Sequence, residues 1–128
     1  SLIEVYSEIC LDIALAELEA GNRGNGIRFM EMAYSAGSEL KDEQVSGLTI
    51  DFLKDVVESG NITVIKTAVE GIIELQGEGY RELIKPVIKA VEIVETKDVN
   101  KYYDLQVEER DIVADIVKEI TKSDELLP

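Results

Sequence analysis

Apolar residues recur along this chain every three or four positions, the period of an amphipathic helix. In the first run, about residues 2–20, Leu2, Val5, Ile9, Ile13 and Ala16 fall on one stripe, with Glu4, Glu8 and Asp12 on another. Gly21 and Gly24 stop that run, because glycine takes the left-handed backbone that ends helices. Asn25 is placed to cap the next helix through its side-chain oxygen. That helix carries Ile27, Met30, Ala33 and Tyr34 and ends at Gly37. A third, about Asp42 to Ser59, turns Val45, Leu48, Phe52 and Val56 to one side, and Leu53 and Val57 widen that face enough for contact on two sides. Asn61, after Gly60, caps a fourth, in which Ile65, Ala68, Val69, Ile72 and Leu75 step at helical intervals. The β-branched residues of 62–73 also admit a strand, but the period favours helix.

Gly77 and Gly79 break the chain again. The run from Tyr80 to about Glu95 holds Leu83, Ile84, Val87, Val91 and Val94 and is interrupted by Pro86. A proline there either kinks the helix or marks its true first turn. Residues 99–106 read as a short helix or a long loop. The last helix, about 107–121, has the clearest stripe: Ile112, Val113, Ile116, Val117 and Ile120. From Asp124 to Pro128 a frayed tail is expected.

One phrase closes three of these runs. Leu18-Glu19-Ala20-Gly21-Asn22 recurs as Val57-Glu58-Ser59-Gly60-Asn61 and, more loosely, as Val94-Glu95-Thr96-Lys97-Asp98. The spacings of 39 and 37 residues suit stacked pairs of antiparallel helices, each pair hiding an apolar face against the next. The expected fold is therefore all-α: one helical domain over 1–128, with antiparallel hairpins at 2–37, 42–77 and 80–121 stacked as an α-α superhelix or short solenoid. A compact helical bundle is the alternative.

Residues 10–38 resemble a degenerate tetratricopeptide unit, with Ile13, Ala14, Gly21, Gly26, Met30 and Ala33 at that family's offsets. Cys10 stands where a Trp is typical and Glu17 where a Tyr is, and no Pro closes the unit. The segment from Arg81 to Ile88, with Pro86 inside it, is similar to the first helix of a HEAT repeat. What either resemblance implies is a scaffold that binds other proteins.

Composition narrows the partners. Apolar residues make up 45% of the chain, with two Phe, five Tyr and no Trp, so the core is aliphatic and disorder is not expected. No apolar run approaches the roughly 18 residues of a membrane span. No basic start precedes the first apolar run, as a secretory signal would need, so the expected location is the cytoplasm. The net charge is −14, and it is spread: residues 1–64 hold 12 acidic and 4 basic side chains, residues 65–128 hold 15 and 9. Such a field repels phosphate backbones and anionic lipid, so nucleic acid and membranes are not expected partners. A protein, basic in character, or a second copy of the chain is. Cys10 is alone, forms no internal disulfide, and reads as a buried structural thiol.

The absence of histidine removes Ser-His-Asp and Cys-His catalysis and most zinc and di-iron ligand sets. No nucleotide-binding motif follows a strand, and the glycine-rich 21–26 segment lacks the lysine of a P-loop and reads as a turn. Carboxylates alone are plentiful. Asp104 and Glu108 stand four apart, as do Asp111, Asp115 and Glu119, and as do Glu70, Glu74, Glu78 and Glu82 if the helix runs through the glycines. Lys66, Lys118 and Lys122 are placed to offset these rows. A divalent-metal binder or carboxylate enzyme is thus the minor reading, and a solvated helix face the main one. No catalytic residue, metal ligand or cofactor is assigned. Tyr102 and Tyr103 are the candidate partner-binding residues: if their segment is helical they diverge, so that one packs inward while the other meets a partner; the alternative is that both close the core beneath the last helix. The leading expectation is a non-catalytic protein-interaction or scaffold module with an acidic helical surface. The second is a small structural or regulatory subunit of a larger complex.

Overall fold

The structure is a computed structural model that describes residues 1–122. Among these residues the chain forms eight helices and no strand: α1 (Leu2–Glu19), α2 (Arg23–Gly37), α3 (Asp42–Glu58), α4 (Ile62–Gln76), the single turn α5 (Tyr80–Leu83), α6 (Lys85–Thr96), the short α7 (Val99–Tyr103) and α8 (Val107–Thr121). The all-α expectation holds, and the ambiguous 62–73 stretch is helix. The tail expected from Asp124 lies outside the described residues.

The repeated phrase does the same local work each time. Gly21, Gly60 and Lys97 occupy its fourth position, and all three have positive φ, 85°, 66° and 54°. The residue that follows, Asn22, Asn61 or Asp98, is the N-cap of the next helix. Asn61 accepts from the Val64 amide and Asp98 from the Asn100 amide. Asn22 acts differently: its amide, together with that of Asn25, donates to Glu17 Oε2 at 2.9 and 3.3 Å. Asn25 is therefore not a cap. It and Gly24 lie inside α2, because the left-handed turn is complete at Gly21 and the helix restarts at once.

The helices pack as pairs. α1 and α2 form a close hairpin, and α3 and α4 a second. The second hairpin stacks on the first with α1 against α3 and α2 against α4. In the third pair α6 packs on α8, but the chain enters it on the other side: α6 lies against α4 and α8 against α3. Two layers result, α1–α3–α8 and α2–α4–α6. Pro86 falls in the first turn of α6, where its missing N–H costs nothing, and the chain breaks just before it at Ile84.

The core between the layers is aliphatic. Met30, Ile65, Ile72, Ile84 and Ile93 are enclosed, and Cys10 is buried as a free thiol. Its polar groups are paired. Ser7 donates to the Ala33 carbonyl at 3.0 Å. Thr49 donates to the Val45 carbonyl, so its oxygen accepts from the Tyr34 hydroxyl at 2.8 Å. Burial pushes the Tyr34 phenol up to about 12; its hydrogen bond to Thr49 opposes this and nearby Tyr80 adds to it.

α1 corrects the sequence reading. Its inward face is Ser7, Cys10, Leu11, Ala14 and Leu18. The stripe that periodicity picks out, Leu2, Val5, Ile9, Ile13 and Ala16, is on the opposite side, exposed. Size explains the choice. Small side chains at 7, 10 and 14 let α2 come close, and where α1 presents the larger Leu18 it is α2 that gives way, with Gly26, where a Cβ would stand 2.5 Å from Leu18 Cδ2.

Candidate functional site

The third pair leaves a groove of about 630 Å³ on the side where α3, the α5–α6 break and α8 meet. Its walls are apolar. α3 supplies Ile50, Leu53 and Val57, the last two being the residues that widen its apolar face in the sequence. The chain on either side of the break supplies Leu83 and Pro86: the break buries Ile84 and turns Leu83 outward. α8 supplies Ile116, half-buried, and Ile112, 54% exposed. Ile112 thus sits on the groove wall and not in the core with Val113 and Val117, a departure from the single inward stripe expected of α8.

Charge at the rim is mainly of one sign. Glu58 on α3 and Asp115 and Glu119 on α8 stand over the apolar walls, with Lys54 the one cation among the groove's lining residues. Asp115 and Glu119 belong to the carboxylate row noted in the sequence. That row borders a groove; it does not converge on a point. Among the described residues no group of three or more acidic, Cys or His side chains could hold a metal ion. The row from Glu70 to Glu82 does not exist as one face, because α4 ends at Gln76 and Gly77 turns the chain with φ 95°. Lys66, expected to offset Glu70, reaches across to Glu95 on α6 at 3.1 Å.

The tyrosine pair diverges as adjacent helical residues must. Tyr102 is half-buried against the core and Tyr103 is 49% exposed. Their rings meet edge to face, 5.3 Å between centroids and 70° between planes. Arg110 lies over the Tyr103 ring at 5.9 Å and donates through Nη2 to the Tyr103 carbonyl at 2.7 Å. Neither tyrosine lines the groove. The groove was not legible as a site in the sequence, although Leu53, Val57 and Pro86 each stood out there for other reasons.

No helix among the described residues is long and apolar enough to cross a membrane. No protein-family model matches this chain, and neither a curated protein nor a solved structure matches it.

Proposed function

We propose that this protein is a non-catalytic protein-interaction module that seats an apolar segment of a partner in the groove between α3, the α5–α6 break and α8. The observation that carries this reading is an apolar cleft with outward-turned Leu83 and Ile112 under a rim of Glu58, Asp115 and Glu119. Covering one such aliphatic side chain stabilises a complex by about 1–2 kcal/mol, and the rim selects a segment that carries Lys or Arg beside its apolar residues. Tyr103, flat and half-exposed, is a second contact available to the same class of partner.

The stacking of α3 on α1 and of α4 on α2 supports an α-α repeat in which residues 10–38 belong to a tetratricopeptide-like unit. The reversed entry into the third pair supports a short stack closed at that end. A library of helical peptides panned on the pure chain tests the function. Selected peptides are expected to combine apolar residues with Lys or Arg and to lose binding to Leu83→Asp and Ile112→Asp. Failure to recover any peptide that loses binding to those two variants would overturn the groove reading.

A second reading, a small subunit of a larger assembly, is favoured by a different observation: the outer face of α1, which is apolar and exposed along its length.

A further inference from the structure

α1 is apolar on two opposite faces, and only one of them is used inside the domain. On the outer face Leu2 is 88% exposed, and Val5, Ile9 and Ile13 follow it at helical intervals with Tyr6 alongside. On a helix of 3.6 residues per turn these fall within a stripe about 100° wide that runs about 16 Å from Leu2 to Ile13. A continuous apolar seam of this kind on a folded surface marks a contact site.

The borders of the seam say what it contacts. α1 carries five carboxylates and no cationic side chain. Asp12, Glu8 and Glu19 run along one edge of the seam and Glu17 stands at the other. A second copy brought α1 to α1 would set these carboxylates against their equivalents, between chains of net charge −14. An anionic bilayer meets the same repulsion. We infer that the outer face of α1 docks a cationic amphipathic helix of a partner protein, with apolar residues at positions i, i+3 or i+4, and i+7 against Val5, Ile9 and Ile13, and with Lys or Arg flanking them against Glu8, Asp12 and Glu17. This rests on the subunit reading above and shares no residue with the groove.

The test uses the full chain and two synthetic helical peptides with the same leucine seam, one flanked by Lys and one by Glu, followed by fluorescence anisotropy. The Lys-flanked peptide is expected to bind, and to bind about tenfold more weakly in high salt. Measured in chains that carry Ile112→Asp, so that the groove contributes little, Ile9→Glu and the milder Ile9→Gln are expected to weaken it about tenfold, even though Ile9→Glu makes the chain more acidic. Both substituted positions are exposed, and circular dichroism checks the fold. Binding of the Lys-flanked peptide that survives or strengthens in Ile9→Glu would reduce the effect to bulk charge and overturn the proposal. So would equal binding of the Glu-flanked peptide, failure of either to bind, or a stable dimer of the pure chain that Ile9→Glu dissociates. Loss on Ile112→Asp with none on Ile9→Glu would overturn this inference and leave the groove reading standing.

Discussion

Gly26 of α2 lies directly against Leu18 of α1: a Cβ at position 26 would stand 2.5 Å from Leu18 Cδ2, 2.7 Å from its Cγ and 3.4 Å from the Ala14 carbonyl oxygen. This contact sets how closely the first hairpin closes, and with it which face of α1 is buried.

Gly26→Ala is therefore expected to destabilise the chain by about 1–2 kcal/mol, since buried Leu18 cannot move aside freely and the overlap outweighs alanine's better helix propensity. Gly24 and Gly47 also lie inside helices, but nothing stands within 4 Å of a Cβ at either position. Gly24→Ala and Gly47→Ala are expected to stabilise by about 0.5–1 kcal/mol each. Urea unfolding of the three variants checks the opposite signs.

Lys97 holds the left-handed conformation that glycine holds at the two equivalent turns, with φ 54° against 85° at Gly21 and 66° at Gly60. Lys97→Gly is expected to stabilise by about 0.5–1 kcal/mol by removing the Cβ penalty. Lys97→Ala, which removes the charge and keeps the Cβ, is the control and is expected to give none of that gain.

Tyr34 links stability to pH. Its phenol is raised from 10.0 to about 12 in the folded chain. The folded state thus keeps a proton that the unfolded state releases from pH 10 upward. The stability tied to the neutral phenol is complete below pH 10 and is lost as pH rises from 10 to 12, about 2–3 kcal/mol in all. Tyr34→Phe is expected to flatten that alkaline decline. At neutral pH it costs about 1 kcal/mol, because Thr49 keeps its bond to the Val45 carbonyl. Denaturant midpoints between pH 8 and 11.5 measure both effects.

Salt is expected to stabilise this chain. The ion pairs Lys66–Glu95, Arg23–Glu70 and Lys101–Glu92 are all well exposed, so each contributes little and screening costs little. Repulsion within a chain of net charge −14 outweighs them. Raising NaCl to about 0.5 M is expected to lift Tm by about 2–5 °C in a thermal scan; a fall would mean that the surface pairs dominate.

The sequence by itself determined that the chain is helical and where most of its turns fall, because those are local matters; the start of α2, the break before Pro86 and the form of 99–106 it left to the structure. The period of Ile65, Ala68, Val69 and Ile72 is that of a helix whatever surrounds it, and a left-handed residue followed by Asn or Asp ends one helix and opens the next at 21–22, 60–61 and 97–98. Only the tertiary structure decided which apolar stripe of α1 turned inward. Both stripes satisfy the helical period equally, and the choice fell to a face with small side chains at Ser7, Cys10 and Ala14, against which α2 lies close, with its Gly26 on Leu18 and Ser7 bonded to the Ala33 carbonyl, a helix that α1 cannot specify alone. The same holds for Ile112, left on a groove wall while Val113 beside it is enclosed. Periodicity marks a residue as able to be buried; which able residues are covered depends on how the third pair enters the stack, with α6 on α4 and α8 on α3.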